Sequence, residues 1–440
     1  MKIISILIAS LLIFSCSFDN KTGIWKNDKD IIDEKNLLGG LETLTSSSKS
    51  FEKTIILRKN FSFESIQEVN SIKWYDIFYN SQNNFVNFKY KNNGKVIFKS
   101  KKISKNSLNK FTLYENENVI LNDENGSIFV YSIDKNAFQS KFNFYKKKFK
   151  KIKKVLNLIV ENNIIYVSDN IGYLYAYDYK KNKIIWAKNY KVPFRSNLKI
   201  INKVLVAANQ NNILYYFDKS TGDVIKIFPT EQTLVNNLFT NNLSSNKSNS
   251  FFLNTYGSLY SINNENLKIN WFVNLNQSTN LNPSNLFSGS QIVNDKRRVV
   301  VSSNQFTYIL DEKAGTILYK KNFSTKIKPF IINNYLFCIT KKDFLVALNL
   351  KDGEILYSYD LNQKIAKYLN SKKKKVEVKN IVMAKNKILI FLANSYLLEL
   401  NIDGRLESIS KLPSKIKSNP IFIQDKIIYL NKKNKFLIMN

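Results

Sequence analysis

Histidine is absent from the 440-residue chain, which removes the commonest general base and the commonest transition-metal ligand. A Ser-His-Asp triad is excluded with it. The sequence also lacks a Gly-x-Gly-x-x-Gly or phosphate-loop motif and any metal-ligand spacing of cysteines or carboxylates, so neither a catalytic residue nor a metal site is expected. Cysteine occurs twice. Cys16 closes an N-terminal apolar stretch and Cys338 lies within Tyr335-Leu-Phe-Cys-Ile339, where a small buried thiol on a strand is expected, so the two should not pair. Glycine (12) and proline (6) are scarce, and the turns must be built largely from Asn, Asp, Lys and Ser. Acidic residues number 34 against 67 Lys and Arg, for a net charge of +33. A polyanion partner would be the usual inference. Here the basic residues are spread through strands, turns and linkers alike, which reads as compositional drift. The lysine runs at 145–154 and 372–375 fall between expected strand pairs and read as solvated loops, with contact to acidic lipid or an acidic partner as the sharper alternative.

What is present begins with the apolar stretch 3–14 behind Lys2, too short to cross a membrane as a helix but suited to a signal peptide. It ends Ile13-Phe14-Ser15-Cys16, which resembles a bacterial lipobox, although Phe14 stands where a smaller residue is preferred. The resemblance implies lipidation (palmitate) at Cys16, several acyl chains giving firm anchoring where one binds marginally. An ordinary signal peptide is the alternative. Ser17 places no acidic residue after the cysteine, which implies a cell outer membrane location facing the periplasm. The expected organisation is a signal peptide at 1–15, a polar tether at 16–50, an N-terminal flap or extension at 51–83 including Trp74, and a repeat domain at 84–440.

With 44% hydrophobic and 13% aromatic residues, the chain can bury a large core, and its aromatic and β-branched bias favours strands. A unit of two short apolar strands, an Asp or Asn turn and a third strand recurs eight times, as in Tyr173-Leu-Tyr-Ala-Tyr-Asp178 and Ile213-Leu-Tyr-Tyr-Phe-Asp218. Its turn residues are Asp134, Asp178, Asp218, Asn263, Asp311, Asn349 and Asn401, and the eighth unit stops at Asn440. Successive intervals are 44, 40, 45, 48, 38, 52 and 39 residues, the period of propeller blades. Eight places after the turn residue stands an aromatic in five units (Phe142, Trp186, Trp271, Tyr319, Tyr357), with Lys226 and Ile409 as exceptions. Gly222, Gly315 and Gly353 lie four places after it, where positive φ is expected. The repeated acids are therefore read as structural turn residues, and the aromatics as wedges between neighbouring blades.

The fold expected is all-β: an eight-bladed β-propeller of four-stranded antiparallel blades. The last unit lacks its outer strand. Residues 95–101, with Phe98 four places after Gly94, carry the matching spacing, so this N-terminal strand is predicted to pair with 436–439 and close the ring, removing two exposed sheet edges.

Asp218-Lys-Ser-Thr-Gly222, Asp311-Glu-Lys-Ala-Gly315 and Tyr173–Asp178 with Trp186 resemble the pyrroloquinoline-quinone-type propeller repeat over roughly 84–440. In length, anchor and repeat count the chain is similar to the BamB-like lipoproteins within that group. The resemblance implies a non-catalytic scaffold without cofactor, acting as a monomer within a hetero-complex of the outer-membrane β-barrel assembly machinery and touching the periplasmic repeats of the barrel-inserting subunit. The corresponding inter-blade loop here, 229–240, carries Leu234, Val235, Leu238 and Phe239 as candidate partner-binding residues but no arginine; the same residues would also suit an inner strand. Two alternatives remain. One is binding of anionic envelope polymer or lipid through the lysines; the other is a quinoprotein dehydrogenase, which this repeat type also builds. The adjacent cysteine pair that such enzymes use is missing. Export argues against nucleic acid.

Overall fold

The computed structural model describes residues 51–91, 93–145, 149, 151–231, 241–276 and 290–440, together with the strand backbones Ser17–Phe18 and Trp25–Lys26. The chain divides into two units, Met1–Ser50 and Phe51–Asn440. In the first, Ser17–Phe18 and Trp25–Lys26 pair antiparallel. Cys16 and the signal segment lie outside the described residues.

The second unit is an eight-bladed β-propeller. Blade 1 spans Leu113–Glu115, Asn118–Asn122, Ser127–Ser132 and Ala137–Asn143, and the next six follow at the spacing of the repeats, each meandering from an inner to an outer strand. Middle strands are buried on both faces, as in Ile164–Asp169 and Phe344–Asn349, because each blade is packed between two others; this explains their continuous apolar runs. Outer strands alternate, as in Lys183–Asn189, with one face on the next blade and one in solvent.

Blade 8 closes as the spacing predicts. Its chain supplies Ile421–Ile423, Lys426–Leu430 and Phe436–Met439, and Val96–Lys99 pairs antiparallel with the last of these, Ile438 opposite Phe98. The Phe98 ring stacks on Phe436 at 5.5 Å. One helix interrupts the all-β pattern among the described residues: Leu361–Tyr368, between blades 6 and 7, with the Asp360 side chain accepting from the Gln363 amide as N-cap. No helix of the described residues is long and apolar enough to cross a membrane.

The aromatic and glycine positions of the repeat meet across blade boundaries. Trp186 of blade 2 lies against Gly222 of blade 3, where an added Cβ would stand 2.5 Å from the indole. Trp271 meets Gly315 and Tyr319 meets Gly353 in the same way. Each ring also donates to a carbonyl of the neighbouring turn: Trp186 Nε1 to Lys219 (3.0 Å), Trp271 Nε1 to Glu312 (3.1 Å), Tyr319 Oη to Lys351 (2.8 Å). The backbone station is left-handed even without glycine, at Asn182 (φ 54°) and Leu267 (φ 52°). Cys338 is a free, buried thiol.

Candidate functional site

The turn residues Asp178, Asp218, Asn263 and Asp311 each accept two backbone amides through Oδ1, at 2.7–3.1 Å, and Asn349 accepts one. Asn401 stands at the same station of its blade, opposite Lys387 as Asp178 is opposite Ile164. In blade 1, by contrast, that station is Ser132, opposite Asn118, and Asp134 lies two residues beyond it. Ser140 and not Phe142 then takes the place of Trp186. Spread over the periphery, these groups converge on no common point. Leu234, Val235, Leu238 and Phe239 lie outside the described residues.

The end of the stretch read as an extension (51–83), together with the first residues of the expected repeat domain (84–91), builds the centre of the ring. The stretch 51–63 runs along blade 6: Ile55 exchanges backbone hydrogen bonds with Ser358 of its outer strand, and Phe63 packs on Tyr335 and Phe337. The chain then turns inward, and residues 74–91 pass along the axis, touching the blades in sequence. Trp74 exchanges two backbone hydrogen bonds with Tyr114 of blade 1, and the Tyr75 carbonyl accepts from Val160 of blade 2. Asp76 forms an ion pair with Lys199 of blade 3 at 2.6 Å, both side chains 1% exposed. The Ser81 and Gln82 carbonyls accept from Ser245 of blade 4 and Asn294 of blade 5. Asn84 exchanges two side-chain hydrogen bonds with the Ile331 backbone of blade 6. Asn87–Phe88 adds as a parallel strand to Met383–Ala384 of blade 7, and the Lys91 amide donates to Asp425 of blade 8.

The polar centre of this thread is buried. Lys199 also donates to Asn83 Oδ1 and to the Asn80 carbonyl, while the Asn83 amide donates to the Leu243 and Ile292 carbonyls at 2.8 Å. Burial pushes the Asp76 carboxyl above its ordinary range and the Lys199 ammonium below its own, each opposed by the attraction of the other. Lys328 donates to the Asn83 carbonyl at 2.6 Å with its ammonium 3.3 Å from the centre of the Phe85 ring. Burial, then repulsion from Lys199, holds it well below the usual lysine range.

Beside the thread lies an axial cavity of about 410 Å³. Its wall joins Trp74, Phe78 and Phe85 of the thread to residues at or just before the inner strands of blades 1, 5, 6, 7 and 8, among them Lys110, Phe111, Thr112, Lys326, Glu377, Lys379 and Asn380. Trp74 Nε1, Thr112 Oγ1 and Asn380 Nδ2 are buried without a hydrogen-bond partner. Such an atom costs about 1–3 kcal/mol when no ligand or water reaches it. Sequence reasoning missed thread and cavity alike, because Asn80, Asn83, Asn84 and Asn87 have the composition of a linker.

The wall does not fit quinone and calcium chemistry. Glu377 is the one carboxylate among its lining residues, and no group of three His, Cys, Asp or Glu among the described residues could hold a metal.

A closed ring of eight meandering blades, locked by aromatic rings against turn glycines, defines a propeller of the pyrroloquinoline-quinone-type repeat. A family model described as outer membrane protein assembly factor BamB matches residues 255–426, and the chain is a BamB-like propeller of that repeat type. The crystal structure of BamB from Moraxella catarrhalis is similar at TM-score 0.60 and 12% identity, covering 76% of this chain and 98% of that one. The computationally designed protein Ika8 is similar at TM-score 0.59 and 11% identity, over 78% of this chain and 99% of its own. A quinohemoprotein alcohol dehydrogenase from Comamonas testosteroni also matches, at TM-score 0.60 and 9% identity, over 82% of this chain and 76% of that one. At these identities the structural likenesses concern the fold alone. No curated protein matches the sequence.

Proposed function

We propose that the protein is a non-catalytic scaffold lipoprotein of the outer-membrane β-barrel assembly machinery, held at the membrane through Cys16 and binding the periplasmic domains of the barrel-inserting subunit. The observation that carries this reading is the BamB family match on a ring whose eight blades are all touched by the chain's own residues 74–91. The missing adjacent cysteine pair and a cavity wall with Glu377 as its one carboxylate weigh against the dehydrogenase reading. Exposed loops on a rigid ring suit docking, and 229–240 is the segment assigned to it.

The test is binding of the purified chain to the periplasmic domains of the barrel-inserting subunit, alone and with Leu234→Asp and Phe239→Asp together. The double substitution should weaken binding at least tenfold with little dependence on salt. Unchanged affinity would remove the loop from the interface, and absence of binding by the parent chain would end the scaffold reading. Steep loss of binding with added salt would favour docking by charge. Cys16→Ala should abolish palmitate incorporation and release the protein from membranes.

A further inference from the structure

The axial cavity has a chemical polarity that a scaffold role does not use. Its volume of about 410 Å³ is in the range of small-molecule sites. One side is aromatic, formed by Trp74, Phe78, Phe85 and Phe111. Charge around it is unbalanced, with Lys110, Lys326, Lys328 and Lys379 against Glu377. Lys326 is committed to Asp343 at 2.5 Å and Lys328 to the Asn83 carbonyl. Lys110 is exposed, its ammonium 5.2 Å from the centre of the Phe111 ring, and Lys379 gives one hydrogen bond to the Lys417 carbonyl, leaving further N–H donors.

The unpartnered atoms point to the same kind of ligand. Trp74, Thr112 and Asn380 are 2%, 2% and 5% exposed. Indole Nε1 and amide Nδ2 can only donate, and the threonine hydroxyl can donate as well, so what this wall lacks is an acceptor. Water accepts hydrogen bonds but brings no charge, and the surplus of lysines selects an anion. Lys379 itself is held below the ordinary lysine range by burial and then by Lys432, with Glu377 opposing and Lys110 and Lys417 adding to the repulsion.

We propose that the axial cavity is a binding site for one small aromatic anion, its ring against Trp74, Phe85 and Phe111 and its carboxylate or sulfonate drawn to Lys110 and Lys379. The site is independent of the docking surface assigned above.

The probe is 1-anilinonaphthalene-8-sulfonate, compared with the uncharged N-phenyl-1-naphthylamine, on the full chain carrying Cys16→Ser. Fluorescence titration and equilibrium dialysis should give one sulfonate site per chain, with the neutral compound at least tenfold weaker. Lys110→Gln with Lys379→Gln should weaken the sulfonate at least tenfold and leave the neutral compound unchanged. Lys180→Gln with Lys181→Gln, an equal charge change on an outer turn, should do nothing. Asn380→Leu removes a donor that has no partner to lose, so it should weaken the sulfonate while the melting temperature holds or rises. Several equivalent sites, equal affinity for the neutral compound, or equal effects of the two lysine pairs would overturn the proposal.

Discussion

Replacing Lys199 by Met probes how the axial thread is held. The Lys199 and Asp76 side chains are each 1% exposed and 2.6 Å apart, so the substitution leaves a buried carboxylate with the Phe78 amide as its remaining hydrogen bond from the protein. Removing one partner from a buried pair costs about 3–5 kcal/mol. An unfolding entropy of about 2.1 cal/mol/K per residue, taken over the unit Phe51–Asn440, amounts to roughly 0.8 kcal/mol per kelvin. The melting temperature should therefore fall by about 4–6 °C at neutral pH. The deficit should depend on pH in a direction opposite to ordinary acid denaturation. Burial already raises the Asp76 pKa and Lys199 opposes that rise; without the ammonium the folded-state pKa climbs further. A carboxyl raised in the folded state destabilises fully above its folded pKa and ceases to do so below its unfolded value, near 3.9. The gap between parent and variant should thus narrow as pH drops from about 8 towards 4. Asp76→Asn combined with Lys199→Met should recover part of the loss. The amide oxygen still accepts from Phe78, while the Asn80 carbonyl and Asn83 Oδ1 lose their lysine donor. Differential scanning fluorimetry across pH reads all of this. A Lys199→Met protein melting within about 1 °C of the parent at neutral pH would refute the reasoning.

Gly222→Ala combines a φ of 76° with a Cβ 2.5 Å from the Trp186 ring. It should cost about 2 kcal/mol or more by urea denaturation, falling to about 1 kcal/mol in a Trp186→Ala background where only backbone strain remains. Phe98→Ala removes the stack on Phe436 at the ring closure and should cost about 2–4 kcal/mol. Hydrogen exchange should then rise together at 96–99 and 436–439, and protection kept at one end alone would count against closure by pairing. Burial pushes the Cys338 thiol up to about 12, so a chain carrying Cys16→Ser should not react with a thiol reagent near pH 8 until denatured; prompt reaction of the folded chain would place Cys338 elsewhere than in the core.

The blades were legible because their signals are periodic. Apolar pairs such as Val204–Ala208 and Ile213–Asp218 recur with the Asp or Asn turn, and the spacing of Gly94 and Phe98 matches that of the outer strands, as the pairing of Val96–Lys99 with Phe436–Met439 bears out. The 52-residue interval between Asn349 and Asn401, the longest of the set, holds the helix Leu361–Tyr368, which a propeller template does not anticipate. Gly404 escaped notice because it lies three places after Asn401, yet at φ 78° it meets Tyr357 and Tyr359 as the other glycines meet their rings. The thread was opaque for a different reason. Its anchors are asparagine amides and single backbone groups bonding to inner strands, and such contacts impose neither a period of 2 nor one of 3.6 on the sequence.

The axial thread also acts as a gauge. Between Trp74 and Lys91 it meets every blade, its first contact with each coming in the order in which the blades are joined. Arrays of this kind tolerate gain or loss of repeats when each unit touches only its neighbours, but here every blade is also referred to a common ruler of fixed length. A duplicated blade would widen the axis and leave the ruler one mark short, and a deleted blade would leave a mark unread. The count of eight is thus written twice in this chain, once in its repeats and once in the short segment that precedes them.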